Sequence, residues 1–129
     1  MKIDRIDHLV LTVRDVEATV AFYARVLNME PVTFAGGRRA LSFGRQKLNL
    51  HPADAPISPH ALRPTPGAAD LCLITTTPIT EVVAHLRRLG VSIEEGPVRR
   101  TGATGPITSV YLRDPDANLI EVSEYDGSV

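Results

Sequence analysis

The sequence predicts an α+β fold of two tandem βαβββ modules, because it states one pattern twice. Residues 6–13 form a short alternating apolar run that carries His8 near its start. Residues 68–75 repeat its shape sixty-two positions on, with Asp70 where His8 stood. The same offset pairs Leu27 with Leu89 at the ends of two amphipathic stretches, which marks an internal repeat. Each helix pattern is then followed by strand-like segments.

The first helix starts at Asp15, a natural N-cap, and shows Val16, Val20, Tyr23 and Leu27 at helical spacing; Pro31 stops it soon after. For the second, Thr77 is the expected N-cap and Pro78 fits the first helical position. Ile79, Val82, Val83, Leu86 and Leu89 make its apolar stripe, and Gly90 suits a left-handed terminus. Extended segments are expected at 31–34, 39–43 and 47–51, and again at 92–98, 108–113 and 118–123. The last two strands of each half read as a hairpin. One domain, 1–129, is expected: module one at 1–51, a proline-rich linker at 52–67 and module two at 68–129. Proline makes that linker ordered or semi-rigid. Residues 100–106, with Gly102 and Gly105, are expected to be a loop that closes over a ligand or turns a corner.

Composition narrows the partners. The formal net charge is −1, and the basic residues fall in scattered pairs, so no footprint for nucleic acid exists. No segment has the apolar length of a membrane span. The start of the chain lacks the apolar run of a secretory signal, so a cytoplasmic protein with a small-molecule partner is expected. The single cysteine, Cys72, sits in an apolar strand and reads as a buried inert thiol. His60 in the linker and His85 on the second helix have no repeat counterpart and are assigned to the surface.

Strand parity picks out a constellation. Side chains alternate between the faces of a strand. Leu9, Leu11 and Val13 share the face a helix would cover; His8, Val10 and Thr12 share the other. By the same count Asn49 and His51, Asp70, and Leu119 with Glu121 fall on the face away from the helices. His8, His51, Asp70 and Glu121 are ligand-type side chains among apolar neighbours. Curling the two half-sheets toward each other into a cup would bring them together. Imidazole and carboxylate suit zinc, nickel, iron, manganese and cobalt, and a divalent ion removes the cost of a buried carboxylate. Asp70 also fits an acceptor that orients a ligand histidine, or a cap at the strand entrance.

These residues carry a family resemblance. Residues 6–11, the stretch from Phe22-Tyr23 to Leu27, and residues 111–121 together resemble the vicinal oxygen chelate superfamily: glyoxalase I, fosfomycin-modifying enzymes, extradiol dioxygenases and bleomycin-binding proteins. Residues 46–51, 64–67 and 70–72 are similar to a small glyoxalase-domain-containing branch. The resemblance implies two βαβββ modules forming a cup, often paired across a homodimer. It implies one divalent metal ion (nickel, zinc, cobalt, manganese or iron) on His8, His51, Asp70 and Glu121. The bacterial glyoxalase pattern reads His, Glu, His, Glu, so the middle two positions depart from it. The family's usual glycine before the last strand is Ala117 here, so that turn is expected to avoid a positive φ at Ala117 or to place Asn118 there instead.

The chemistry implied is glyoxalase- or lyase-like isomerisation. The metal holds the substrate oxygens, and Glu121, as catalytic base, moves a proton between adjacent carbons through an enediolate. The alternative enzyme is an extradiol ring-cleaving dioxygenase. The non-enzymatic alternative is a metal-free binding or resistance protein, disfavoured for large planar ligands because the chain has no tryptophan. Ser109, Tyr111 and Arg113 share strand parity. With Arg99 or Arg100 they are candidates for binding an anionic substrate group, and Tyr111 equally fits a packing aromatic.

Overall fold

The computed structural model describes residues 1–127. The chain divides into two compact units, Met1–Ala68 and Ala69–Val129, of which the last two residues lie outside the description. Each is a βαβββ module. The first contains β1 (His8–Val13), α1 (Val16–Leu27), β2 (Glu30–Phe34), β3 (Arg38–Phe43) and β4 (Gln46–Pro52). The second contains β5 (Asp70–Ile74), α2 (Ile79–Arg88), β6 (Glu95–Gly102), β7 (Gly105–Arg113) and β8 (Leu119–Tyr125). Strand order is β1-β4-β3-β2 in one sheet and β5-β8-β7-β6 in the other. In both, the first strand lies parallel to the last, and the last three run antiparallel.

In the first module α1 covers the face carrying Leu11, Val13, Leu41, Leu48 and Leu50, all buried. The Asp15 carboxylate accepts from Ala18 N–H at 3.0 Å and starts the helix as expected. Its buried stripe is Thr19, Val20, Tyr23 and Val26, so Val16 and Leu27 sit at its margins. Thr19 is tolerated in the core because its hydroxyl donates to the Asp15 carbonyl at 2.9 Å.

In the second module α2 buries Val82, Val83 and Leu86 on the face carrying Val110, Leu112, Ile120 and Val122. The expected Thr77 cap is corrected. The helix is flanked by Pro78, which makes no side-chain cap. The Glu124 carboxylate of β8 instead accepts from Ile79 N–H at 3.0 Å, bringing negative charge to the helix N-terminus. A cap supplied from forty-five residues away has no local sequence signature.

The segment at 92–98 begins its strand only at Glu95. Residues 100–106, expected to close over a ligand or turn a corner, turn the corner. They belong to the β6–β7 hairpin, in which Gly102 pairs with Gly105 across a two-residue turn. The turn before β8 is tied by Asp114, whose carboxylate accepts from Asp116 N–H, Asn118 N–H and the Asn118 amide at 2.8–2.9 Å. Within it Ala117 itself takes φ +64, contrary to the expectation that it would avoid that region. The knot around Asp114 forces the conformation, at a cost of about 1–2 kcal/mol for an L-residue. Ala117→Gly is therefore expected to stabilise the protein by about 1 kcal/mol, after the extra freedom glycine gives the unfolded chain. Chemical denaturation of the pair checks this; an unchanged or lowered midpoint contradicts it.

Candidate functional site

Register decides which side chains share the face away from each helix. In the second sheet Cys72, Glu121, Tyr111 and Glu95 form one row across four strands. Ile74, Ser123, Ser109 and Val98 form the next row. Glu121 is thus flanked by two serines in the neighbouring row. Ser109 Oγ donates to Glu121 Oε2 at 2.6 Å, and the Ser123 hydroxyl lies 3.4 Å from the same oxygen. The two hydroxyls are 2.6 Å apart, and Cys72 Sγ lies 3.2 Å from Ser123 Oγ. One consistent proton order runs from the Cys72 thiol through Ser123 and Ser109 to the carboxylate. Partial desolvation of the sulfur by its neighbours raises the Cys72 thiol pKa, so it keeps the proton that this order needs. Cys72 is exposed rather than buried, which corrects the expectation of an inert core thiol.

Ser109 and Ser123 are fully buried, so these bonds hold Oε2 rigidly and turn Oε1 toward other partners. Tyr111 stands directly opposite Glu121 in the ladder, and its hydroxyl accepts from Arg100 Nε at 3.1 Å. Arg100 also reaches Glu95 at 2.9 Å. Arg113 forks onto both oxygens of Glu94 at 2.9 Å, an exposed pair, and donates to the Ala117 carbonyl. Its guanidinium is thus already engaged. Asp70 is exposed at the start of β5, opposite Leu119.

In the first sheet His8 is exposed at the start of β1, with Nδ1 2.9 Å from the Asp7 carboxylate. That bond is the main reason the Asp7 carboxyl is held below its usual range. It also fixes the ring and leaves Nε2 as the nitrogen for a ligand. His51 lies elsewhere. His8 pairs with Lys47, whereas His51 pairs with Thr12, four residues further along β1. Counted by register, the partner of Val10 in module one is Asn49, and the partner of Cys72 in module two is Glu121. Val10 and Cys72 are equivalent positions at the sixty-two-residue offset. Asn49 therefore matches Glu121, and His51 matches Ser123.

Asn49 and His51 are both buried, at 5% and 3% exposure. His51 Nε2 lies 3.4 Å from the Arg38 guanidinium, and Arg38 comes from the position opposite His51 on β3. Burial, then the charges of Arg38 and His60, push the His51 pKa below its ordinary 6.5. His51 is thus neutral in the folded protein near neutral pH. The unfolded chain binds a proton at pH values where the folded chain does not, so stability rises with pH across that window. Unfolding midpoints measured from pH 7.5 down to 5.5 are expected to fall as pH drops below 6.5, and His51→Gln is expected to flatten that slope. An equal slope in the variant contradicts this.

Arg38, Asn49, Cys72 and Ser123 carry much of this geometry and were not among the residues expected from sequence. Parity alone places Asn49, a lone polar residue between Leu48 and Leu50, on the helix-free face, but an amide is not a typical metal ligand. Among the described residues, no three His, Cys, Asp or Glu side chains are grouped as a ready metal cage. Among the same residues, no helix is long and apolar enough to cross a membrane.

The comparisons with known proteins agree with the architecture. Residues 5–122 match the family model of the Glyoxalase/Bleomycin resistance protein/Dioxygenase superfamily. The chain is 60% identical to Virulence protein STM3117 of Salmonella typhimurium, over 97% of this chain and 87% of that one. The crystal structure of that protein superposes with a TM-score of 0.96, covering 97% and 99% of the two chains. Glyoxalase domain-containing protein RDO1 of Mycosarcoma maydis is 49% identical over 97% of this chain and 70% of its own length. A solved lactoylglutathione lyase from Agrobacterium tumefaciens is 26% identical, with a TM-score of 0.74 and 95% of both chains covered. A duplicated βαβββ unit, a carboxylate set opposite a tyrosine on the helix-free face, and these matches lead to one assignment: the chain belongs to the Glyoxalase/Bleomycin resistance protein/Dioxygenase superfamily.

Proposed function

We propose that this protein is a divalent-metal-dependent enzyme that moves a proton between adjacent carbons of a small oxygenated substrate, in the manner of a glyoxalase-type isomerase or lyase. The observation that carries this is the Glu121 carboxylate, with Oε2 held by the Ser109 hydroxyl, itself bonded to Ser123. The likeness to a lactoylglutathione lyase supports it. The candidate ligand residues are His8 and His51 in the first module and Asp70 and Glu121 in the second. His8 fits that role best, because the Asp7 carboxylate binds Nδ1 and orients Nε2 for a ligand. A divalent ion there would stabilise negative charge developing on a substrate oxygen.

Glu121 Oε1 is the atom that takes the proton from one carbon and returns it to the next. The serine bonds keep Oε2 fixed, so the carboxylate pivots little during transfer. Tyr111, with its hydroxyl oxygen occupied by Arg100, can donate its own proton to a substrate oxygen on the same row.

A second assignment, a metal-free binding protein, is favoured by one observation. The position matching Glu121 in module one is the neutral Asn49, a weak ligand for zinc or nickel. Elemental analysis of untagged protein prepared without chelators separates the two. About one nickel, zinc or cobalt per chain is expected, lost in a folded His8→Ala variant, with activity on thiol adducts of α-ketoaldehydes. Iron or manganese would bring ring cleavage of catechols to the front. No metal after reconstitution with each ion would overturn the enzyme assignment.

A further inference from the structure

The helix-free face of the first module holds polar atoms that nothing in the proposed proton transfer uses. Asn49 Oδ1, His51 Nδ1 and Arg38 Nε are buried and, among the described residues, have no hydrogen-bond partner. Asn49 and His51 are alternate residues of β4, and Arg38 stands opposite His51 on β3, so all three share one face. Same-face neighbours on a strand lie about 7 Å apart, which places the three atoms within reach of one small molecule. A buried polar atom without a partner typically costs about 1–3 kcal/mol, and three of them beside one another point to a shared partner.

The chemistry of that partner can be read from the atoms. Arg38 Nε carries a hydrogen. The His51 ring is neutral and turns Nε2 toward the Arg38 guanidinium, so Nε2 is the acceptor and Nδ1 carries the hydrogen. Two N–H groups on side chains that touch through their other nitrogens suit an anionic oxygen pair, and Asn49 Oδ1 suits a hydroxyl. The surrounding field has the matching sign. Arg38 lies 5.0 Å from the centre of the Phe34 ring and Lys47 Nζ 3.8 Å from it, putting two cations on this face. Arg38 and His60 are the charges that, after burial, lower the His51 pKa.

We infer that Arg38, His51 and Asn49 form a binding site for an α-hydroxycarboxylate group: Arg38 Nε–H and His51 Nδ1–H donate to the carboxylate, and Asn49 Oδ1 accepts from the neighbouring hydroxyl. This deepens the proposed function by naming a substrate or product class, and rests on that proposal only for the chemistry after binding. Binding itself needs no metal, so the two can fail separately.

The test is ring-nitrogen NMR on the full chain, labelled with 15N-histidine and treated with chelator. The chain has four histidines, and a His51→Gln variant assigns the signal. Glycolate is expected to shift the His51 Nδ1 resonance saturably, with a Kd of about 1–10 mM for so small a ligand. Acetate, which lacks the hydroxyl, is expected to bind at least threefold more weakly, and methyl glycolate, which lacks the charge, to have no effect. Arg38→Gln is expected to weaken glycolate at least tenfold, and Arg38→Lys, which keeps charge but loses the Nε–H, at least threefold. Asn49→Ala is expected to erase the preference for glycolate over acetate. Backbone amide spectra verify that each variant is folded. The inference is overturned by no saturable shift at His51, or by glycolate and acetate binding equally to the unaltered protein. Phosphate binding more tightly than glycolate would also overturn it, as would a response that appears only after a divalent ion is restored.

Discussion

Glu121→Gln is expected to reduce turnover at least 100-fold while leaving the second sheet intact. Glutamine has nearly the shape of glutamate and can still accept from Ser109 through its carbonyl oxygen. It cannot take up a proton from carbon, and a positioned general base is worth about 10²–10⁴ in rate. The loss is therefore expected in kcat, with KM changed less, because the hydroxyls and the strand keep the group in place. Steady-state kinetics on a thiol adduct of an α-ketoaldehyde, with a thermal melt alongside, reads both quantities. A variant that retains more than a tenth of the turnover would remove Glu121 from the proton path. Ser109→Ala gives the complementary result: a smaller loss, about tenfold, because the carboxylate remains but Oε2 loses its closest donor.

The largest stability effect is expected at Gly96. This residue sits at the irregularity in the β6–β7 pairing, between Glu95 and Val98, with φ +112. That region of backbone space is almost closed to residues with a side chain. The space is closed as well: a Cβ there would collide with the Ser109 carbonyl oxygen and come within 3.0 Å of Val110 Cα. Both obstacles are backbone, so no rotamer change relieves them. Gly96→Ala is expected to cost about 3 kcal/mol, combining backbone strain with overpacking, measured by urea denaturation. It has a second consequence. Relief of the clash must shift the backbone of Ser109, whose hydroxyl holds Glu121. Turnover in the folded fraction is therefore expected to drop too, which a remote stability defect would not produce. A variant as stable as its parent would show that the bulge yields easily.

The duplicated pattern made the architecture legible before any coordinates. The alternation of apolar residues around His8 and Asp70 placed β1 and β5, and the Asp15 cap placed α1 because its signal lies within four residues of the helix it starts. What failed was non-local or conformational. The N-terminus of α2 is completed by Glu124 on another strand, and residues 100–106 turned out to be paired because their partners lie across a hairpin of glycines and small residues that carry little strand signal. The candidate site was half legible. Parity put His8, Asn49, His51, Asp70 and Glu121 on helix-free faces, but it cannot supply register. Only the ladder shows that Asn49, not His51, corresponds to Glu121. The serine and cysteine network behind Glu121 was missed because serines in a strand have no distinctive spacing; their meaning lies in which residue stands next to them on the adjacent strand.

That correspondence between Asn49 and Glu121 bears on how the two copies have diverged. A duplication hands a protein two versions of every position, and only one must keep the ancestral task. Here the later copy holds an ionisable group backed by hydroxyls, while the earlier copy holds an amide beside an imidazole and a guanidinium. One half is equipped to exchange protons and the other to read the shape of a polar group without exchanging any. On the proposed roles, alterations to Arg38, Asn49 and His51 should therefore change which molecules the protein accepts, and alterations around Glu121 should change how fast it transforms them. Specificity and speed then become separately adjustable, the one at the amide position and the other at its carboxylate counterpart.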